Sequence, residues 1–287
     1  MRLALGIEYD GSSFFGWQLQ PEISTIQGEI ERGLSQIAGE PIRVFCAGRT
    51  DTGVHATYQI IHFDTVAVRP SGAWVRGLNA LISNEISIRW VREVPVDFHA
   101  RYSALRRTYR YLLLNREQRP GLFAKNIGWY HKNLDVNMMN SAALALIGKH
   151  DFSAFRSSEC QANSPVRIVE ELSIRSSGDI IVFEITANAF LHHMVRNIVG
   201  TLVYIGAGKH SVDWMQEILV SRDRALAAPT FSPNGLYLTS IDYDPDWGLP
   251  KPELFSNFEV TLTSFTCLLY TSPSPRDRTR SRMPSSA

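Results

Sequence analysis

Apolar and polar positions alternate along the chain with two periods, one near two residues and one near 3.6. The first period is typical of strands and the second of helices. In the first part of the chain, the period-two segments predict strands at residues 2–9, 42–47, 58–64 and 86–94. Helical spacing predicts helices at about 26–39 and 72–83. Ser24 and Gln27 have the spacing of a capping box at the start of the first helix.

The second part of the chain repeats this mixture of elements. Residues 98–115 run into a strand, and helices are predicted at about 138–147, at 190–205 and from Ser211. A hairpin joins 167–175 to 180–187 through a Ser-Ser-Gly-Asp turn, and 236–243 form a last strand. The apolar stripe of the 190–205 helix consists of Leu191, Met194, Val195, Ile198 and Leu202. Hairpins interspersed with helices favour an α+β fold with a largely antiparallel mixed sheet.

The order of elements predicts three segments. We expect an N-terminal α/β half at 1–105, a similar half at 106–250 and a tail at 251–287. From Phe258 onward the tail is rich in Thr, Ser, Pro and Arg and has no amphipathic period, which predicts disorder. The tail is either a basic segment that assists RNA binding or a non-native read-through end, and we favour the second interpretation.

Composition sets the class of the protein. The chain has 287 residues, of which 44% are hydrophobic and 20% charged, as is usual for a globular protein of about two domains. No run of about 18 apolar residues predicts a membrane span. Cys46, Cys160 and Cys267 form no C-x-x-C pair, so neither a disulfide framework nor a zinc site is indicated. We therefore expect a cytoplasmic protein without membrane association.

Positive charge is unevenly distributed. The 29 basic residues comprise 24 Arg and 5 Lys, a ratio that reflects either a GC-rich genome or a need for phosphate-binding guanidinium groups. Residues 101–119 contain six Arg and one acid, Glu117. This excess predicts a positive patch suited to a polyanion.

Common catalytic signatures are absent from the sequence. There is no Walker A loop, no G-x-S-x-G, no H-E-x-x-H and no G-x-G-x-x-G after a strand. The segment Gly48-Arg49-Thr50-Asp51-Thr52-Gly53-Val54-His55 follows an apolar strand and has neither helical nor strand periodicity. Its glycines allow a tight loop that a ligand can approach closely. Asp51 is the candidate reactive group.

This segment resembles the catalytic loop of the TruA-type tRNA pseudouridine synthases. Four further segments resemble the family in the same order along the chain: Gly6–Gly11 with Phe15–Gln18, Phe98–Ser103 with Arg107–Tyr111, Ala189–Asn197, and Gly235–Leu238. The resemblance extends from about Leu3 to Pro250, and the tail after about Phe258 does not share it.

The resemblance implies a pseudouridine-synthase fold, with two halves around a central cleft, and a homodimer without metal or organic cofactor. It implies that uridines at positions 38 to 40 in the anticodon arm of tRNA are isomerised. Asp51 corresponds to the catalytic aspartate, Tyr109 to the active-site tyrosine and Arg196 to the arginine paired with the aspartate. The residues that correspond to substrate or RNA contacts are Arg49, Arg69, Phe98, His99, Ala100, Arg101, Tyr102, Tyr109, Glu159, Cys160, Gln161, Ala162, Asn163 and Leu236.

These residue types suit the reaction. A carboxylate can act as a covalent nucleophile or stabilise positive character at the sugar carbon, and both roles require Asp51 to be ionised. Attack on the base and attack on the ribose carbon are both consistent with the sequence. A neighbouring Arg196 would lower the pKa of Asp51. Tyr109 could stack on uracil and relay a proton, and Arg49 could fill the space that a flipped base leaves.

Two other functions fit some of these residues. A non-catalytic RNA-binding module would use the arginines and aromatic residues but would not need Asp51. A metal-dependent hydrolase could use Asp51, His55 and His192. We interpret the pair His192-His193 as packing residues with polar tips, because the sequence suggests no third ligand for a metal.

Overall fold

One continuous sheet of ten strands organises the part of the chain that the structure, a computed structural model, describes, residues 1–251. The strands are β1 Arg2–Tyr9, β2 Phe45–Cys46, β3 His55–Asp64, β4 Ile86–Val94, β5 Ala104–Asn115, β6 Gly128–Tyr130, β7 Gly148–Asp151, β8 Val166–Ser177, β9 Ile180–Ala187 and β10 Leu236–Tyr243. Eight of them run in the order β4-β1-β3-β10-β5-β9-β8-β7, with β2 paired to β3 and β6 to β5. The pairs β3–β10 and β5–β6 are parallel, and the other pairs are antiparallel.

Five α-helices accompany the sheet in the described residues. They are α1 Ile26–Ala38, α2 Leu78–Leu81, α3 Val136–Ala143, α4 Met194–Gly206 and α5 Trp214–Ser221. The predicted α+β class with a mixed, largely antiparallel sheet is confirmed. The predicted boundary between the two halves, at residues 105 and 106, falls inside strand β5, which is part of the continuous sheet. The division into two similar halves stays a prediction. The predicted tail lies outside the described residues, except for Lys251.

Several element boundaries differ from the predicted ones. Thr25, not Ser24, caps α1, and its side chain accepts a hydrogen bond from the backbone N–H of Gly28. Gln27 does not close a capping box, because its side chain accepts from the backbone of Leu19. The predicted strand at 42–47 shortens to β2, and β6 and β7 were not predicted, since strands of two to four residues are too short to show a period.

The start of α4 matters most for the site. The helix was predicted from Phe190 but begins at Met194, because His193 adopts a left-handed backbone with φ of 63°. The predicted apolar stripe of this helix is confirmed, since its five residues are all buried: Leu191, Met194, Val195, Ile198 and Leu202.

Of the six arginines in the predicted positive patch at 101–119, three are paired with acids or buried, whereas Arg101, Arg116 and Arg119 are exposed. Arg106 lies within 3.3 Å of acids on β8 and β10, Arg110 pairs with an acid on β9, and Arg107 is buried. The partner acids are Glu170, Asp242 and Glu184. Counting charge along one segment overlooks the acids that neighbouring strands bring opposite it.

None of the helices within residues 1–251 is long and apolar enough to cross a bilayer.

Candidate active site

The loop that carries Asp51 connects β2 to β3 near the middle of the sheet. Two hydrogen bonds of Thr50 hold the loop. The Thr50 carbonyl accepts from the backbone N–H of Trp17 at 3.0 Å, and the Thr50 hydroxyl lies 2.8 Å from the hydroxyl of Tyr9. The N–H of Val54 closes a turn onto the carbonyl of Asp51 at 3.1 Å. Gly53 has a φ of 76°, a conformation that favours glycine. The backbone on both sides of Asp51 is therefore held in place.

The first turn of α4 faces this loop. The left-handed residue His193 turns the chain into the helix, so that His192 and His193 precede it and Arg196 lies in its first turn. Arg196 donates through Nε to the carbonyl of Phe231 at 2.8 Å, which orients its guanidinium group. The N-terminus of α4 also adds partial positive charge.

Three side chains at and just before the start of α4 surround the carboxylate of Asp51. Nη1 of Arg196 donates to Oδ2 at 3.2 Å. Nε2 of His192 lies 3.3 Å from Oδ1, and Nε2 of His193 lies 3.4 Å from Oδ2. The Asp51 side chain is 19% exposed, so its charge is mostly shielded from water but open to a ligand.

This arrangement keeps Asp51 ionised. Burial raises the pKa of Asp51, but the hydrogen bond from His192 and the charges of His193, His192 and Arg196 together hold it below its ordinary value. The hydrogen bond to Asp51 raises the pKa of His192, whereas burial lowers the pKa of His193. The two adjacent histidines thus differ in how easily they take up a proton.

Tyr109 lies at the edge of the loop on β5. Its ring contacts Phe190 edge-on at 5.0 Å between centroids, and a Cβ added to Gly48 would lie 3.6 Å from its hydroxyl. Burial, together with the charge of Asp51, raises the pKa of Tyr109 far above its ordinary value. Tyr109 is therefore a neutral phenol. Leu236, also buried, begins β10 two residues before the partner of Tyr109 on that strand.

The other candidate RNA-binding residues differ in their exposure to solvent. Arg49 is exposed and lies two residues from Asp51. In the 98–102 segment the side chains of Phe98 and Ala100 lie in the core, whereas Arg101 and Tyr102 are exposed. An RNA contact by side chains of this segment is thus restricted to His99, Arg101 and Tyr102.

Residues 159–163 lie beside the histidines. The backbone N–H of His192 donates to Sγ of Cys160 at 3.5 Å, and the carbonyl of His192 accepts from the N–H of Ser157 at 3.0 Å. Glu159, Gln161 and Asn163 are exposed, and Cys160 and Ala162 are half-buried.

Arg69 lies apart from this group. It follows the far end of β3, a strand of ten residues, or about 30 Å. Its guanidinium group donates to the carbonyls of Ile37, Ala38 and Val68. It thereby neutralises the negative C-terminal end of α1.

Two features of the site were not expected from the sequence. His192 and His193, interpreted as a packing pair, are direct partners of Asp51, and the signal was their position just before the helix that carries Arg196. Arg107 is 8% exposed and donates to the carbonyls of Ala47, Arg101, Ala104 and Asn188. It thereby joins the start of the Asp51 loop to the segment that leads into α4.

Asp51 also supplies the third ligand that the sequence did not suggest for the histidine pair. One ligand atom each from Asp51, His192 and His193 lie within 4.8 Å of one another, a donor set that zinc could use. His55, which the metal-dependent alternative grouped with Asp51 and His192, points elsewhere: its Nδ1 lies 3.0 Å from Asp10 and its Nε2 contacts the carbonyls of Lys125 and Asn234.

Comparisons with known proteins match almost all of the described part. A family model described as tRNA pseudouridine synthase matches residues 6–103 and 142–244, which include the Asp51 loop, α4 and β10. The tRNA pseudouridine synthase A of Dechloromonas aromatica (strain RCB) is 54% identical over 252 residues, or 88% of this chain and 96% of that protein. Those of Shewanella amazonensis and Nitrosomonas eutropha are 54% and 55% identical, over 88% and 87% of this chain and 97% and 90% of those proteins.

Among solved structures, a Cbf5-Nop10-Gar1 complex aligns with a TM-score of 0.29 at 11% identity, over 70% of this chain and 54% of that one. A similarity this low carries no further weight.

Proposed function

The chain belongs to the tRNA pseudouridine synthase family, and on that premise we propose that it isomerises uridines 38, 39 and 40 in the anticodon arm of tRNA with Asp51 as the nucleophile. The family's activity is that of an isomerase acting on tRNA uridine.

One observation carries the proposal. Asp51 presents an ionised carboxylate between the guanidinium group of Arg196 and two imidazoles, all within 3.4 Å, on a loop closed by a glycine. A structural ion pair would need one cation. Three converging groups around a mostly buried carboxylate fit a reactive group whose charge must be held and aimed.

The reaction breaks the bond between C1′ and N1 of the uridine and forms one between C1′ and C5, while C5 loses a proton and N1 gains one, so that the product is an isomer of the substrate. Ionised Asp51 can attack either the ribose carbon or the base, and the arrangement of Arg196 and His192 supports both routes by keeping the proton off the carboxylate. Tyr109, as a neutral phenol, is suited to pack against the uracil and hydrogen-bond to it. Its raised pKa argues against a phenolate that removes the proton from C5.

The exposed residues around the site supply contacts for RNA. We propose that Arg49, beside Asp51, holds the strand from which the uridine is turned out, a step that costs a few kcal/mol of unstacking. Arg101 lies over the ring of Tyr102 at 5.5 Å and forms a cationic and aromatic edge that suits bases and phosphates. Because Arg69 lies far from Asp51, an RNA contact at Arg69 would involve either a different part of the same tRNA or a tRNA bound at the other subunit of the proposed homodimer.

The test uses an unmodified tRNA transcript, with pseudouridine mapped by carbodiimide-dependent reverse-transcription stops. The wild type should produce stops at 38, 39 and 40. Asp51→Asn should abolish them while leaving tRNA affinity within about threefold, because the amide keeps the shape but not the nucleophile. Asp242→Asn, at an exposed carboxylate paired with Arg106, is the matched control and should keep full activity. Undiminished turnover by Asp51→Asn would contradict the proposed role.

A non-catalytic RNA-binding module is the alternative, and the same experiment separates the two. Such a module would bind the transcript with wild-type and Asp51→Asn proteins alike and produce stops with neither. Light scattering of the purified protein tests the homodimer.

A further inference from the structure

An open cavity of about 510 Å³ is lined in part by His193, whose Nε2 lies 3.4 Å from the carboxylate of Asp51. Arg156 and Arg224 contribute guanidinium groups to its wall, and the other lining residues are hydroxyl-bearing except for His193. No carboxylate lines the cavity. Its lining therefore offers cations and hydrogen-bond donors, which is the chemistry that recognises a phosphate.

Neither arginine is neutralised within residues 1–251. Nη2 of Arg156 donates to the carbonyls of Cys160 and Ala162. Arg224 donates to the carbonyl of Ala227 and to the side-chain oxygens of Asn197 and Thr230. All of these acceptors are uncharged, so both positive charges remain available to a ligand. Their hydrogen bonds fix the guanidinium groups in advance of binding, which reduces the ordering cost.

Nearby acids do not cancel this charge. Asp151 accepts from the hydroxyl and the backbone of Ser153 and lies 3.4 Å from Arg222. Asp51 is not among the residues that line the cavity, and its carboxylate already lies within 3.4 Å of Arg196, His192 and His193. Glu159 is exposed to solvent, where its charge is screened.

We propose that this cavity is a phosphodiester site, in which Arg156 and Arg224 bind a backbone phosphate of the RNA beside the nucleotide held at Asp51. The inference rests on the proposed function, because it takes tRNA as the occupant. His193 contacts both the cavity and the carboxylate. A phosphate held in the cavity therefore lies one side chain away from the reacting uridine and fixes its sugar relative to Asp51.

Ser158 allows a test that leaves the existing contacts intact. It is exposed on the cavity wall, and its hydroxyl makes no hydrogen bond in the part of the chain that the structure describes. Ser158→Asp adds a negative charge, and Ser158→Asn adds a side chain of the same shape without charge. The dissociation constant of an unmodified tRNA transcript should rise about tenfold for Asp, as expected for the loss of a charged hydrogen bond, and stay within about twofold for Asn. Equal affinities for the two variants would overturn the proposal.

The arginines are tested through the salt dependence of binding. Removal of one arginine–phosphate interaction should lower the slope of log affinity against log salt by about 0.7 to 0.9. Arg156→Gln and Arg224→Gln should show this fall, and the lysine variants should retain the wild-type slope. Arg175→Gln removes the same charge on β8, close to the turn of the β8–β9 hairpin and opposite Val182 of β9, and should leave the slope unchanged. Reduced activity with an unchanged slope would assign the arginines a structural role and overturn the proposal.

Synthetic RNAs with single methylphosphonate linkages identify the occupant. One neutral linkage should weaken binding of the RNA to the wild type. The same linkage should not weaken binding to Arg224→Gln, because that variant has already lost the arginine–phosphate interaction. If every linkage affects the two proteins equally, or if inorganic phosphate at constant ionic strength occupies the cavity without displacing RNA, the proposal is wrong. These are binding measurements, so an absence of pseudouridine formation by the wild type would defeat the proposed function and still leave the cavity testable.

Discussion

Arg196 and Asp51 are 145 residues apart in the chain, yet Nη1 of the arginine donates to Oδ2 of the carboxylate at 3.2 Å. The positive charge favours the ionised carboxylate and contributes, with His192 and His193, to the lowered pKa of Asp51. Replacing Arg196 by Met removes the charge and keeps a side chain of similar length. The pKa of Asp51 should therefore rise.

The pH dependence of pseudouridine formation reports this change. The proposed mechanism requires Asp51 to be ionised, so the acid limb of the kcat/KM profile should move to higher pH in Arg196→Met, and activity at neutral pH should also fall. Arg106→Met, which alters an exposed ion pair away from Asp51, should leave the limb in place. An acid limb at the same pH in both variants would contradict the electrostatic role of Arg196.

The contact between His192 and Asp51 should stabilise the fold over a limited pH range. The pKa of His192 is raised above its ordinary 6.5, so its contribution is fully present below 6.5 and is lost as pH rises through the folded value. The pKa of Asp51 is lowered below 3.8, so its contribution is present above 3.8 and lost as pH falls through its folded value. His192→Asn should therefore lower the free energy of unfolding more at about pH 5 than at about pH 9.

Urea unfolding of four proteins isolates this contact: the wild type, His192→Asn, Asp51→Asn and the double variant. In the presence of Asp51→Asn, His192→Asn should lower the free energy of unfolding by the same amount at both pH values. If an additional loss at the lower pH persists there, the partner of His192 is another group.

Gly53 and Gly39 form a matched pair for testing the loop. Their φ angles are 76° and 77°, so an alanine at either position should cost about 1–2 kcal/mol of stability. A Cβ on Gly53 would also lie 3.2 Å from Pro233, whereas a Cβ on Gly39 would meet no atom within 4 Å. Gly53→Ala should thus displace the Asp51 loop and reduce kcat, while Gly39→Ala should lower only the melting temperature. Equal activities at equal stability would show that the loop tolerates the shift.

The sequence predicted the helices and strands better than it predicted the contacts between them. Long segments with a clear period, such as β4 and the stripe of α4, appear as expected because local alternation records which face is buried. The pairing of Asp51 with Arg196 came from the family resemblance. No local pattern could show that a loop after one strand meets the first turn of a helix far along the chain.

Charge was the least predictable property. Arg106 and Arg110 counted toward a positive patch, but Glu170 and Glu184, on other strands, lie opposite them. Conversely, Arg156 and Arg224 are far apart in the sequence, and folding places both around one cavity without an acid. Net charge along a segment does not specify the partners that a sheet brings together.

The cluster of Asp51, His192 and His193 makes a metal-dependent reaction a specific alternative that can be tested. Arg196 is 3.2 Å from the carboxylate and would compete with a bound cation, so we expect activity without a transition metal. Treatment with phenanthroline, with magnesium retained to keep the tRNA folded, should leave pseudouridine formation unchanged. Loss of activity that zinc restores would favour the metal-dependent alternative.

Arg107 should be the residue whose loss damages the site most without touching Asp51. Its guanidinium group is buried and satisfies four backbone carbonyls, including those of Ala47 and Asn188 on the two segments that meet at the candidate active site. Arg107→Met would leave these carbonyls unpaired and should lower the free energy of unfolding by about 3 kcal/mol or more. Arg106→Met, on the adjacent and exposed position, should cost less than about 1 kcal/mol. Urea unfolding measures both values, and equal losses in the two variants would mean that Arg107 does not join the segments.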